Sequence, residues 1–500
     1  MICMNLLRRI LLKGIFRYEA SLLCNYNKAL KFLTRGEGLI LDYISRRKLE
    51  YAFYRALGTP AYLDFLKRNK IIPCPKTASE IIEHVPVTDK KNYIKRYSHE
   101  MRCIKGRLPT AGNIDESAGS SGVPMNWVRS YDEEALLLKA FNFEYIYLFK
   151  PKKQVIVISA WSSGPWATGV KFCELVEHFS LIKNTGPDIE EIITTLRTFG
   201  RKYHYIISGY PLFLQSLFES DFPWKSYEMD IITGGDGYSA VWPKKIRGKL
   251  KQKTKIISAY GCSDIDIGIA VETPFAQAIR EVSAHNKLLL RRIFGNLQTV
   301  PMLFQYNPSF YYIQNLPSGE FAVTHLDQNV ISPKIKYNVH DIGRSIPFRE
   351  MRNILREYAD GLIRMHTDSE ILHLPFLFVA GRSDGTLSFD GANVYPEQID
   401  IILTKYFLRY INNFKLVKKE HRRQPFHILI ELRRGVKGSS ALLSAISKKV
   451  SEHLPLLNRD FADSLVHNPS LLPIIEIYPL ESDPFKNNQN KIKYKFVEFE

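Results

Sequence analysis

The chain has 500 residues, of which 45% are hydrophobic and 24% charged, and its formal net charge is +18. That length is too great for one ordinary core, and that balance is globular, so two or three domains are expected and a disordered chain is excluded. The six cysteines show no CxxC spacing, which argues against a disulfide scaffold or a zinc site and suits a reducing, cytoplasmic setting.

No run of about 18 apolar residues occurs, so no membrane-spanning helix is expected. The excess positive charge would attract a polyanion, whether nucleic acid, anionic lipid or a phosphorylated small molecule. The basic residues are spread along the chain, clusters such as Lys418-Lys419-Glu420-His421-Arg422-Arg423 are brief, and no nucleic-acid-binding motif is present. A solvated basic face is the simpler reading, and no nucleic-acid partner is expected.

Met1 to Arg17 interleaves Leu6, Leu7, Ile10, Leu11, Leu12, Ile15 and Phe16 with Arg8, Arg9, Lys13 and Arg17, which reads as a basic amphipathic helix. Packing on its own domain is the plain interpretation. Contact with a membrane surface, or targeting, is the alternative. Lys13 interrupts the apolar stretch and no small-residue cleavage site follows, so a cleavable signal is not expected. Residues up to about 100 read as mainly helical, with a proline-bounded connector at Ile72-Pro73-Cys74-Pro75. Val85-Pro86-Val87-Thr88-Asp89-Lys90 is predicted to open another helix capped by Thr88 or Asp89.

Ser117-Ala118-Gly119-Ser120-Ser121-Gly122-Val123-Pro124 packs small and hydroxyl residues around two glycines. Glycines let the backbone approach an anion closely, and successive N–H groups and Ser hydroxyls supply donors for a phosphate. Met125 to Arg129 then alternates like a strand, and Ser130 with Glu133 forms a capping box that starts a helix. A strand therefore follows the glycines. The Gly-Lys-Ser/Thr ending of a Walker loop is absent, so kinase-like and GTPase-like readings fail.

From 153 to 330 short apolar strands alternate with helices. Val155–Ser159, Tyr205–Gly209, Met229–Gly234 and Lys255–Gly261 are the strands, and the last three end in glycine, where an α/β sheet carries its function. From 303 to 345 short strands and turns suggest a β-rich part. A boundary is expected at Ala380–Gly385. Beyond it, Ile399 to Phe414 reads as helix, Phe426 to Arg433 as strand, Ala441 to Leu454 as a helix stopped by Pro455, and Leu472 to Tyr478 as strand. No internal repeat is found.

Five segments carry the chemistry: Ser117–Pro124, Thr233-Gly234-Gly235-Asp236, Tyr260-Gly261-Cys262-Ser263-Asp264, Lys336–Asp341, and Gly381-Arg382-Ser383-Asp384 running on through Gly391–Asp400. This ordered series resembles the adenylate-forming enzymes, most closely the phenylacetate–CoA ligase family with its capsule-biosynthesis-type relatives. The resemblance covers about Leu49 to the end, and Gly381–Asp400 is its most specific part.

The resemblance implies an α/β fold. A large multi-subdomain N-terminal domain, residues 1–381, would carry β-sheets flanked by helices, and a small mobile α+β domain, residues 382–500, would follow. It implies an AMP-forming ligase that joins a carboxylic acid to AMP from ATP. The acyl group then passes to an external thiol, that of coenzyme A or a carrier-protein phosphopantetheine. An amine acceptor in polysaccharide or natural-product biosynthesis, or a non-catalytic nucleotide-binding relative, is the alternative.

By the same resemblance, Ser120, Ser121 and Gly122 would cradle the β- and γ-phosphates. Tyr260 would lie against the adenine, with Gly234 and Gly235 letting the base approach, and Asp236 and Gly261 would belong to the same site. Ser263 would contact the α-phosphate and Asp264 would bind Mg²⁺, since a hard cation wants carboxylate oxygens. Asp341 would accept both ribose hydroxyls, because a carboxylate offers two acceptors to a vicinal diol. Arg382 would reach ribose or phosphate, and Asp384 would lie at the interdomain hinge. Lys491 would be the mobile catalytic cation near the C-terminus.

The chain departs from the family pattern in five places. Val123 and Met125 flank Pro124 where a lysine is usual, and Asp236 and Asp264 replace glutamates. His340 precedes the ribose aspartate in place of glycine, and Asn490 precedes the lysine in place of glycine. Ala160 to Gly169, rich in aromatic and small residues, is the candidate acyl wall, with core packing the competing reading for each Trp. Cys262 has no nearby His to activate it and reads as a small buried residue. Gly119-Ser120-Ser121-Gly122 is no G-x-S-x-G elbow, so a hydrolase triad has no local support.

Overall fold

A computed structural model describes residues 6–35, 38–71, 74–117, 125–164, 166–238, 242–297, 300–365, 371–383, 387–389, 392–418, 426–485 and 497–499. Ser120, Ser121, Gly122, Asp384 and Lys491 lie outside these residues.

A first hairpin pairs β1 (Gly112–Ser117) with β2 (Met125–Ser130), and the Ser130–Glu133 capping box opens the helix Glu134–Phe149 as expected. The main sheet then takes up β3 (Val155–Ser159), β4 (Leu181–Asn184), β5 (His204–Gly209), β6 (Glu228–Gly234), β7 (Ile256–Cys262) and β8 (Asp266–Val271). It continues with β9 (Met302–Gln305), β10 (Tyr311–Asn315), β11 (Glu320–His325), β12 (Tyr337–Ile346) and β13 (Phe376–Arg382). Its 11 strands run in the order β10-β11-β12-β13-β9-β8-β7-β6-β5-β3-β4. Strands β4, β3, β5, β6 and β7 are parallel, and every neighbour pair from β7 to β10 is antiparallel. The inner parallel strands read as apolar runs, with β3 buried along its whole length and β5 along nearly all of it, while the edge strand β4 is largely exposed.

The chain is thus α/β, with a large mixed sheet flanked by helices. Residues after Ser383 form β14 (Leu387–Phe389), β15 (Ala392–Val394), β16 (Ile411–Lys418), β17 (Phe426–Leu432), β18 (Ile474–Tyr478) and β19 (Val497–Phe499). The last four build a separate sheet, ordered β18-β17-β16-β19. That sheet has its own core around Ile399, Ile428, Val450 and Phe461.

The N-terminal helix Leu6–Leu23 packs on its own fold. Leu12 and Phe16 are buried, Phe16 meets Tyr51 at 5.4 Å between ring centroids, and Lys48 Nζ donates to Glu19 at 2.6 Å. Among the described residues no helix is long and apolar enough to cross a membrane.

Three expectations are corrected. The segment at Thr88 opens no helix. Its backbone bonds go to β12 instead, with Thr88 N donating to Lys336 O at 3.0 Å and Asn338 N to Thr88 O at 2.8 Å. Ile411–Phe414 is strand, because the helix Pro396–Phe407 ends before it and Ile411 pairs with Leu432. Pro455 does not stop its helix, which runs Ser440–Leu457. Gln398 Nε2 donates to the Leu457 carbonyl at 3.0 Å and Leu454 is fully buried, which together hold the last turn against the lost N–H.

Candidate active site

A cavity of about 480 Å³ opens at the carboxyl ends of β6 and β7, where the parallel half of the sheet meets the antiparallel half. Gly234, Gly235, Asp236, Tyr260, Gly261, Ser263, Asp264, Asp341 and Arg382 all line it. Every predicted site residue among the described ones is therefore at one place. Ser117, the last residue of β1 before the glycine-rich segment, also lines it and accepts a hydrogen bond from Trp127 Nε1 at 3.0 Å.

Two tyrosines hold the two aspartates. The Tyr260 hydroxyl donates to Asp341 Oδ2 at 2.5 Å, and the Tyr337 hydroxyl donates to Asp264 Oδ2 at 2.7 Å. Burial, with the neighbouring carboxylate, pushes both phenols well above their ordinary range, so they stay donors. Arg382 approaches Asp341 Oδ1 at 3.8 Å. Tyr260 was expected as an adenine platform. Its ring lies 5.7 Å from that of Phe304, and its hydroxyl is engaged with the expected ribose carboxylate.

The loop that carries Ser263 and Asp264 is fixed from below. Buried Arg129 of β2 donates to the carbonyls of Ser263 and Ile265, both at 2.7 Å, and to Asp115 at 2.6 Å. Lys171 Nζ donates to Asp266 at 2.8 Å one turn further on. Arg129 thus ties the hairpin flanking the glycine-rich segment to the Asp264 loop.

The glycines have structural causes of their own. A Cβ on Gly234 would stand 2.6 Å from the Ala259 carbonyl oxygen, and Gly235 adopts φ 76°. His340 holds φ 66°, the left-handed region, which explains why glycine is the usual residue there. His340 is anchored by Asn338 Oδ1, which accepts from its N–H at 2.8 Å, and by Glu320, 3.2 Å from Nδ1.

Sequence reasoning missed Lys90. Because Thr88 docks on β12, Lys90 reaches the cavity and its Nζ lies 3.2 Å from Asp264 Oδ1. Burial, the largest single influence, works to lower its pKa, and Asp264 together with Tyr395 raises it overall. The Trp127 ring carries Lys334 at 5.0 Å and Lys90 at 5.9 Å. Cys262 lines the cavity as well. Burial pushes its thiol up to about 12, so it is no thiolate nucleophile.

The cavity continues below these polar groups into an apolar chamber. It is lined by Val157, Ile206 and Ile232 from the parallel strands and by Phe141, Tyr145, Leu148, Phe172 and Val176 from two helices. Of the predicted acyl segment, Trp161 and Thr168 line the chamber, with Trp161 edge-on to Tyr210 at 4.8 Å. Above, Asn393 and Tyr395 also line the cavity, and Arg459 lies 3.8 Å from Glu116. Asn393, Asp460, Asp463 and Ser464 share a smaller cleft of about 70 Å³ with Ser117 and Ser263.

No family model and no curated protein matches the sequence. Solved structures do match. 2-Hydroxyisobutyryl-CoA ligase, in complex with 2-HIB-AMP and CoA in the thioesterification state, aligns with TM-score 0.62 at 13% identity, over 94% of this chain and 91% of that one. The chain has the fold of that ligase. The same ligase in the postadenylation state with R3-HIB-AMP aligns at 0.53, and an open conformation with 2-HIB-AMP and CoA at 0.51, each at 13% identity. Those alignments cover 94% and 91% of this chain, and 91% of each ligase chain. The α/β fold class implied by the resemblance is the one observed.

Proposed function

We propose that this chain is an AMP-forming acid ligase that activates a carboxylic acid with ATP and passes the acyl group to a thiol, that of coenzyme A or a carrier protein. One observation carries the reading. Residues from distant segments, Gly234, Tyr260, Asp264, Asp341 and Arg382, line one cavity that leads into an apolar chamber. A phosphate-and-ribose end joined to an apolar end is what an acyl-adenylate needs. The aromatic walls and the Gly381–Asp400 segment support the finer assignment, a phenylacetate–CoA ligase-like enzyme.

In this mechanism a carboxylate oxygen attacks the α-phosphorus. The bond from that phosphorus to its bridging oxygen breaks and pyrophosphate leaves. The thiol sulfur then attacks the acyl carbon, its proton passes to solvent, and AMP leaves. The protein's part is position and charge. Asp341 and Tyr260 would hold the ribose, while Lys90 and Arg382 would face phosphate oxygens. Residues 382–500 would pivot to bring Lys491 to the carboxylate, then open a path for the thiol.

Magnesium, when bound with the triphosphate, would neutralise phosphate charge. The Asp264 carboxylate, which lines the cavity, fits a hard cation arriving with the triphosphate, since such an ion wants carboxylate oxygens. Asp264 would be its protein ligand once Lys90 turns from that carboxylate to a phosphate.

Pyrophosphate exchange into ATP, run with a panel of aliphatic and aromatic acids, tests the reading. Acid-dependent exchange is expected. Nucleotide binding without exchange for any acid would favour a non-catalytic relative.

A further inference from the structure

The helix Glu134–Phe149 presents Phe141, Glu144, Tyr145, Leu148 and Phe149 to the cavity, spaced as one helical stripe. Four are apolar or aromatic and the fifth is a carboxylic acid. Its place along the chamber follows from the helix ends. Phe141 packs on Gly268, where a Cβ would stand 2.5 Å from Phe141 Cε2, and Gly268 lies in β8 opposite the last residues of β7 at the cavity mouth. Lys255, at the start of β7, donates to the carbonyls of Leu148 at 2.7 Å and Phe149 at 3.0 Å. The helix therefore runs antiparallel to β7, and Glu144 lies one turn below the mouth, inside the apolar chamber.

Among the described residues Glu144 has no hydrogen bond or ion pair. A carboxyl group enclosed by apolar side chains costs free energy until a partner reaches it. An apolar pocket with a few polar groups, here one carboxyl among them, is a specificity device.

We propose that the chamber accepts an acid whose far end carries a hydrogen-bond donor, a hydroxyl or an amino group, received by Glu144. The inference rests on the adenylation reading of the same cavity and names the substrate class. A donor is the partner that suits both protonation states, because a carboxyl group keeps an accepting oxygen in each, whereas it offers a proton in only one. Burial pushes the Glu144 carboxyl up to about 8, so a neutral donor meets it without bringing a charge into the chamber.

The test is isothermal titration of the full chain with para-methyl, para-hydroxy and para-amino forms of benzoate, phenylacetate and 3-phenylpropanoate. At one ring-to-carboxylate length, a hydroxy or amino acid should bind roughly ten-fold or more tightly than its methyl counterpart. The two donor arms tell hydroxyl from amine. Glu144→Leu should abolish or reverse the preference, and Glu144→Gln, which retains an accepting oxygen, should keep it. Absence of any donor preference in the wild type, or its persistence in Glu144→Leu, overturns the proposal. The titration contains no ATP and reads binding alone, so its outcome is separate from the exchange assay. Exchange without donor preference would uphold adenylation and remove Glu144 from recognition.

Discussion

Lys90 Nζ lies 3.2 Å from Asp264 Oδ1, while Tyr337 donates to the other carboxylate oxygen at 2.7 Å. The acid expected to meet magnesium is thus held between an ammonium and a phenol. A triphosphate entering the cavity competes for that ammonium. Lysine suits the exchange, being a compact charge on a flexible stem.

Lys90→Met should lower pyrophosphate exchange by about 10²-fold, the scale of losing one preorganised donor to developing charge. Circular dichroism should show the fold retained, while the urea midpoint should fall, because the buried Asp264 carboxylate loses its ammonium partner and keeps Tyr337. Lys90→Arg should recover only part of the rate, since the guanidinium fork does not reproduce a point charge.

Tyr337→Phe removes the donor to Asp264 Oδ2 inside a buried cluster. The expected cost is about 1–3 kcal/mol of stability, for a buried carboxylate oxygen left without its partner. Urea denaturation measures it, and the slope should not change.

Gly234→Ala places a methyl 2.6 Å from the Ala259 carbonyl oxygen, which is backbone and cannot step aside. A loss of about 1–3 kcal/mol is expected, with nucleotide affinity falling as β6 and β7 separate. Gly248→Ala is the control. It lies in the helix Trp242–Lys249 with nothing within 4 Å of the added Cβ. It should stabilise by about 0.5–1 kcal/mol.

Glu144 makes stability fall as pH rises. Its folded pKa, about 8, exceeds the ordinary carboxylate value of 4.5, so between those values the folded state binds more protons than the unfolded one. Stability is then lost at up to about 1.4 kcal/mol per pH unit from this group. Tyr311, which faces Glu144, also senses the charges of Asp266, Arg129 and Glu134. Asp327, raised to about 6, titrates in the same window. The difference between wild type and Glu144→Leu isolates the effect. The variant should be the more stable, increasingly so from pH 5 to pH 8, and denaturant titrations across that range read it.

The sheet was legible because buried parallel strands announce themselves as apolar runs, several ending in glycine, as Tyr205–Gly209 and Met229–Gly234 do. The polar site was legible as ordered segments, and Gly234, Tyr260, Asp264, Asp341 and Arg382 do meet at one cavity. Lys90 was not legible. Its segment carries helix-cap residues, and only the long-range pairing of Thr88 with Tyr337 turns it towards Asp264. The strand Ile411–Phe414 was hidden for a similar reason, since its partner Leu432 is remote in sequence. Glu144 left one signal, a lone carboxylate on the stripe Phe141, Tyr145, Leu148, Phe149. The helix is apolar on every side, so its cavity face could not be told from its core face.

The account depends on distant segments gathering round one nucleotide. A crystal structure with bound AMP tests that directly. It should show the ribose hydroxyls within hydrogen-bonding distance of Asp341 and the phosphate facing Lys90 and Ser263. AMP seated elsewhere on the chain, with this cavity empty, would contradict it.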